Sequence, residues 1–340
     1  MAPVPSAAQT IAQMASGYWV SQALYVAAKL GVADLLVSGP RSAAELAAQC
    51  GAQPPALYRL LRALASLGVF AETGDQLFEL TPLAQPLRSD VPESKRAMVL
   101  MTGEEQFRAW GELLYSVTTG KKGFDRVFGK PLFDYLAERP EQAALFDAAM
   151  VSIHGRETPA MLVAYDFSAL GTLADLGGGN GSVLIAILQK HPKLRGILFD
   201  LPNVVERAKQ HINIAAAGLA DRCQALSGSF FESVPSGADA YLMRHIIHDW
   251  DDEQSLTILR NIHRAAPANS KLLIAEYVLR PGNDPDFAKL LDLTMLVIPG
   301  GQERTEDEYR RLLCTAGFEL KRIIPTAADV SILEAVKVVH

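Results

Sequence analysis

With 340 residues and 49% hydrophobic side chains, the chain is long enough to bury a large core and to make two domains. A formal net charge of -6 and an isoelectric point near 5.7 argue against a general nucleic-acid or membrane-surface binder, because such partners select a basic surface. Apolar runs are broken by charge before the ~20 residues that span a bilayer, and no basic-then-apolar leader opens the chain. Cys50, Cys223 and Cys314 are odd in number and far apart, which suggests neither a disulfide framework nor a CxxC metal knuckle. A cytoplasmic protein with a small-molecule partner is expected.

The first 100 residues read as helices with one hairpin. "GYWVSQALYVAAKLGVADLL" is apolar around most of its circumference, more than one domain face uses, so a subunit interface is expected there. Ser42 and Glu45 have capping-box spacing at the head of "SAAELAAQCG", and "PPALYRLLRALASLGVF" follows at helical period. "VFAETGDQLFEL" then alternates around Gly74-Asp75, a hairpin signal that supplies a wing. This winged-helix-like pattern has two readings. A ligand-responsive, DNA-binding regulator needs a basic reading helix, but only Arg59 and Arg62 stand there; oligomer packing suits its many leucines and alanines better.

Residues 101–165 form a helical segment rich in large side chains, most of them core by expectation. Phe107, Trp110, Phe124, Met150 and His154 are the candidates here for a pocket that accepts an aromatic compound. From Thr172 onward, short aliphatic runs alternate with helices: "TLADL", "GILFDL", "CQALSG", "ADAYLM", "KLLIAEYV", then "FELKRII" and "SILEAVKV". Such alternation indicates an α/β domain, a mainly parallel sheet with helices on both faces, over residues 166–340.

"LADLGGGNGSVLIAILQKHP" gives strand, glycine loop and helix in the order by which such sheets bind nucleotide-like ligands at their carboxyl edge. A dinucleotide fingerprint fails, because Ser182 stands where its last glycine or alanine belongs, and no Gly-Lys-Ser/Thr follows for a P-loop. Asp175, Gly177, Gly179 and Gly181 instead fit D-x-G-x-G-x-G, which resembles the first motif of class I S-adenosylmethionine-dependent methyltransferases. That cofactor has no phosphates, so the loop needs bare backbone against which methionyl and ribosyl parts can lie. About twenty residues on, Asp200 ends the next strand where a carboxylate accepts both ribose hydroxyls, with Leu201 beside it.

His248 follows the fourth strand of this domain, Glu276 ends the fifth, and Glu303 lies in a glycine loop ahead of a helix, so all three face the glycine loop's edge. A histidine between two carboxylates can take a proton from a hydroxyl as its oxygen attacks a methyl group. Plainer readings make His248 structural, Asp249, Asp251 and Asp252 a cap for the next helix, and Glu303 a surface charge. His245, His248 and Asp249 also read as possible metal ligands, but with no further ligand near them in the sequence no metal is expected.

In order, "GYWVSQALYVAAKLGVADLL", "LADLGGGNG", "FDLPNVV", "RHIIHDWDD", "LLIAEYVL" and "PGGQERTEDEY" resemble the plant caffeic-acid-type O-methyltransferases and their bacterial relatives that tailor antibiotics and pigments, over nearly the whole chain. The resemblance implies a Rossmann-like methyltransferase domain with a seven-stranded, mainly parallel sheet and an N-terminal, mainly α, winged-helix-like dimerisation domain over residues 1–100. It implies His248 as general base, Glu276 and Glu303 as its flanking carboxylates, and Arg244 as a basic contact to S-adenosylmethionine. Asp292 and Met295 join the acceptor pocket on the same footing. Where the family carries an adenine-side acid, "SGSFFESVP" has Ser229, with Phe230 left to cover the adenine face. Some members perform hydroxylation or decarboxylation, and the full His248, Glu276 and Glu303 set favours methyl transfer over these; the expected reaction is O-methylation of a small aromatic or polyketide-like compound by a homodimer, with N-methylation on the same fold as the alternative.

Overall fold

The computed structural model describes residues 5–215 and 218–338 and divides into two compact units, Met1–Arg108 with Pro140–Ile153, and Ala109–Arg139 with His154–His340. Residues 101–165 are thus shared between the units. The helix Pro140–His154 belongs mostly to the first because Ser152 Oγ donates to the Ser94 carbonyl at 2.6 Å and its own carbonyl accepts from Lys95 Nζ.

In the first unit, helices Gly17–Lys29, Ala43–Cys50 and Pro54–Ser66 surround a core of Leu46, Leu57, Leu61, Leu64, Phe70 and Phe78. The capping box is formed in both directions: Ser42 N–H donates to Glu45 Oε2 at 2.7 Å, and Ser42 Oγ accepts from Glu45 N–H at 3.3 Å. Strands Phe70–Thr73 and Leu77–Leu80 pair antiparallel across a 3₁₀ turn that contains Gly74, and Arg41–Ser42 adds a short third strand. Ile11, Met14, Tyr18 and Trp19 are exposed, Trp19 at 64%.

The second unit carries β1 (Thr172–Leu176), β2 (Arg195–Asp200), β3 (Cys223–Ser227), β4 (Ala240–Arg244), β5 (Lys271–Glu276), β6 (Phe318–Pro325) and β7 (Ser331–Lys337). They form one seven-stranded sheet in the order β6-β7-β5-β4-β1-β2-β3, parallel except for β7, which runs antiparallel to both neighbours. Helices α1 (Glu157–Ala164), α2 (Ser182–Lys190), α3 (Pro202–Ala215), α4 (Asp252–Ala265), α5 (Phe287–Val297) and α6 (Glu306–Thr315) complete it. The central strands are buried on both faces, which is why "AYLM" and "LLIA" read as unbroken apolar runs. After β3 the chain crosses to the far side of β1, so the strand order reverses between β1 and β4, and a crevice opens outside their carboxyl ends. Among the described residues no helix is long and apolar enough to cross a membrane.

Candidate active site

At the end of β1, Gly177, Gly179 and Gly181 all take positive φ, 68°, 57° and 78°, a backbone that side chains with a Cβ rarely adopt. Gly178 is required for another reason. A Cβ there would lie 2.7 Å from Asp175 Oδ2 and inside contact distance of Leu198 Cδ1. Gly177 N–H donates to the Phe199 carbonyl at 2.8 Å, and Asp200 binds the loop in turn, Oδ2 accepting from Gly179 N–H at 2.9 Å and Oδ1 from Leu201 N–H at 2.7 Å. The acid at the end of β2 and the glycine loop are therefore one built object. Burial pushes Asp175 up to about 7 against the pull of Arg244, and its Oδ2 has no hydrogen-bond partner among the described residues. Bare backbone, an oriented carboxylate and an unpaired buried oxygen suit a ligand with hydroxyl and ammonium donors, which S-adenosylmethionine is. Phe230 packs edge-on against Phe231 and Trp250, while Ser229 Oγ accepts weakly from Phe231 N–H at 3.3 Å.

Between β4 and α4 the chain makes a 3₁₀ turn, Ile247–Asp249, that carries His248. His248 Nδ1 lies 2.7 Å from Glu303 Oε1, and its Nε2 lies 3.7 Å from Asp249 Oδ1. Burial opposes charge on this ring, but the Glu303 hydrogen bond and the fields of Asp249, Glu303 and Glu276 win and push it up to about 10. Burial raises Asp249 to about 7 and raises Glu303 as well, though the histidine pulls both down. Asp249, Glu303 and the buried imidazole thus each hold a proton more tightly than the separate groups would.

Glu276, fully buried, makes none of its hydrogen bonds to the ring. Its Oε1 accepts from the backbone amides of Ile246 at 3.0 Å, Ile247 at 2.6 Å and His248 at 3.4 Å, and its Oε2 accepts from the Tyr309 hydroxyl. It acts on the turn. Arg304, 1% exposed, holds the same turn from the other side, donating to the carbonyls of Ile247 at 3.1 Å and Trp250 at 3.0 Å and to Asp252 at 2.8 Å. Gln302 N–H donates to the His248 carbonyl at 2.9 Å. Asp292 Oδ1 accepts from Glu303 N–H at 2.8 Å, so this residue, read from the sequence as an acceptor contact, positions the loop that carries Glu303.

The other sequence-derived candidates fall in several places. Met295 is buried on α5; Phe124 is fully buried against Phe128, Tyr135, Val297 and Ile298, with Trp110 at the edge of that cluster. Phe107 and Met150 belong to the first unit, where the Phe107 ring lies 6.4 Å from Tyr18. His154 forms a buried cluster with Glu157 and His245 that no short-range pattern in the sequence announces: its Nδ1 is 2.9 Å from Glu157 Oε1, and Arg244 Nη1 is 3.7 Å from Oε2. Gly178, Gly301, Arg304 and Glu157 join the site without being among the residues the sequence singles out. Gly178 sits in the run of three glycines in "GGGNG" and Gly301 in the pair of "PGGQER", each a sequence signal of close backbone approach.

Residues 110–319 match the O-methyltransferase domain family, and residues 12–90 match the O-methyltransferase dimerisation domain. The chain is 49% identical over 323 residues to phenazine O-methyltransferase PhzM of Lysobacter antibioticus, covering 95% of this chain and 94% of that one. It is 38% identical over 335 residues to 8-amino-8-demethylriboflavin N,N-dimethyltransferase of Streptomyces davaonensis, covering 96% and 94%. Among solved structures it resembles the O-methyltransferase NcsB1 from neocarzinostatin biosynthesis, in complex with S-adenosylmethionine and 2-hydroxy-5-methyl naphthoic acid, at TM-score 0.85 and 33% identity over 94% of this chain and 96% of that one. The chain belongs to the S-adenosylmethionine-dependent methyltransferase family that joins an O-methyltransferase domain to an O-methyltransferase dimerisation domain.

Proposed function

We propose that this protein methylates a hydroxyl of a small aromatic secondary metabolite, with His248 as general base, and that it does so as a homodimer. The observation that carries the reading is the His248–Glu303 hydrogen bond of 2.7 Å, which occupies Nδ1 and leaves Nε2 to address the acceptor. Bound against Asp175, Gly177, Gly179, Gly181, Asp200, Leu201, Ser229, Phe230 and Arg244, S-adenosylmethionine supplies an electrophilic methyl group. Glu303 then orients the ring and stabilises its protonated form, Glu276 fixes the backbone of the turn, and Trp110, Phe124, His154, Asp292 and Met295 shape the acceptor's surroundings.

A hydroxyl acceptor is favoured over a pyridine-type ring nitrogen because that nitrogen has no proton for this base to take. The test is the pH profile. At neutral pH the resting imidazole is protonated, since it is raised to about 10. An imidazolium facing a phenolate holds the same protons as a neutral ring facing a phenol. With an acceptor near pKa ~10, kcat/KM should therefore climb from pH 7 towards 10, whereas a hydroxyl of pKa near ~7 should reach its plateau about three units lower. Profiles that ignore the acceptor's own pKa, or a methylated nitrogen in the product, would remove the oxygen assignment.

Two further results are expected. Asp200→Ala removes the carboxylate proposed for the ribose hydroxyls and should weaken S-adenosylhomocysteine binding by about 2–4 kcal/mol by calorimetry. Sedimentation at micromolar concentration should report a dimer, because exposed Ile11, Met14, Tyr18 and Trp19 form an apolar face that a monomer would leave in water.

A further inference from the structure

We infer that Glu157 is a positioning residue that fixes the tautomer of His245, and that His245 Nδ1 is thereby held as a hydrogen-bond acceptor for a donor group on the bound reactants. The inference rests on the proposal above that cofactor and acceptor meet at this edge of the sheet. Glu157, 4% exposed, lies 2.9 Å from His154 Nδ1 and 2.9 and 3.1 Å from His245 Nε2. Although burial opposes its charge, the two imidazoles hold its carboxyl well below the usual carboxylate range. An ionised carboxylate only accepts, so the proton of His245 sits on Nε2. Burial, helped by His154, pushes the His245 ring down to about 3, so it is neutral and the lone pair falls on Nδ1.

That atom is buried and has no hydrogen-bond partner among the described residues, a condition native interiors rarely leave without a ligand or water to relieve it. The ring stacks on His154 at 4.0 Å between centroids and stands 5.0 Å from His248. Its backbone takes φ 54°, uncommon for a residue with a Cβ. His154, Glu157 and His245 also offer atoms close enough together to hold a divalent ion, but their separations are hydrogen-bond lengths and Glu157 is bonded to one nitrogen of each ring. The partner that Nδ1 lacks is an N–H, O–H or ammonium. Besides a water, two sources among the reactants have one: the α-ammonium of the cofactor, and a second donor beside the methylated oxygen of the acceptor.

Nitrogen-15 spectra of histidine-labelled protein test this on the intact chain. His245, identified by its loss in His245→Asn, should show a protonated Nε2 and an unprotonated Nδ1, and Glu157→Gln should mix the two tautomers without unfolding the protein. Movement of the Nδ1 signal on adding S-adenosylhomocysteine assigns the cofactor's ammonium. Movement only on then adding 3-amino-4-hydroxybenzoate, and not 4-hydroxybenzoate, assigns a donor on the acceptor. By calorimetry, His245→Leu should weaken that same ligand about tenfold to a hundredfold. His245→Asn, which keeps an acceptor atom near Nδ1 and tolerates the left-handed backbone, should stay within about threefold. A protonated Nδ1, a resonance that neither probe moves, equal losses in the two variants, or a metal ion retained by the purified protein and lost in Glu157→Gln would each overturn the inference. A methylated ring nitrogen alongside the expected spectra would overturn the oxygen assignment and leave this one standing.

Discussion

His248→Ala should lower turnover on a phenol of pKa ~10 by on the order of 10²- to 10⁴-fold while leaving S-adenosylhomocysteine binding within about threefold. Such a phenol holds its proton at neutral pH and is a poor nucleophile until that proton leaves; in the proposed chemistry the neutral form of His248 takes it at Nε2, and the resulting imidazolium, which is also the resting form at neutral pH, pairs with the phenolate. None of the hydrogen bonds that organise the glycine loop involves the histidine, since Asp200 and the Phe199 carbonyl hold Gly179 and Gly177, so the cofactor's cradle should survive. Glu303→Gln should cost less, because an amide oxygen can still accept from Nδ1. It should also move the acid limb of the profile downward, because the charge that keeps the imidazole protonated is gone. An acidic phenol that arrives ionised should recover part of the loss in His248→Ala. A variant that retains wild-type turnover on the weakly acidic phenol would show that proximity alone drives the transfer, and the base would have to be withdrawn. Steady-state rates with the two phenols, set beside calorimetry, decide between these results.

Much of the architecture is legible in the residues, and the reason differs from element to element. Strand β1 and its loop can be read because a buried parallel strand is a continuous apolar run and glycines at positive φ have no substitutes of equal cost. Asp200 can be read because strand, loop and helix lengths fix the spacing between two neighbouring βα units. The helix that carries Ser42 and Glu45 can be read because its cap is local in sequence. What pattern cannot supply is contact between distant segments. Glu157 meets His245 across 88 residues, and Arg304 reaches back about fifty to the carbonyls of Ile247 and Trp250; no periodicity links those positions. Glu276 shows the intermediate case: its place at the end of β5 follows from the sequence, yet its hydrogen bonding to three backbone amides rather than to the imidazole depends on how the turn folds over it.

The same long-range logic makes Gly301→Ala the most damaging small substitution expected in the unit. A Cβ at residue 301 would fall inside contact distance of the His248 carbonyl oxygen, the Asp249 carbonyl carbon and the Trp250 nitrogen. All three are backbone atoms of the turn that carries the proposed base, so no side chain can swing away. The turn is also anchored on its other sides, by Glu276 at its amides and by Arg304 at its carbonyls, so a shift must break some of those hydrogen bonds or push the 300–303 loop, and Glu303 with it, away from His248. A displacement on the order of 1 Å between a base and its reacting partner costs about 10²-fold in rate, and overpacking a tight contact typically costs about 1–3 kcal/mol in stability. Gly301→Ala should therefore lower kcat by about 10²-fold and lower the melting temperature, with S-adenosylhomocysteine affinity nearly unchanged because the glycine loop lies on another strand. Gly300→Ala is the control: that residue has φ 87°, and a Cβ there meets only the flexible side chain of Lys122, so it should lose stability to backbone strain with less effect on kcat. If the two variants lose kcat equally, general destabilisation rather than displacement of the His248 turn accounts for both, and the close approach at Gly301 has no separate role in positioning the base.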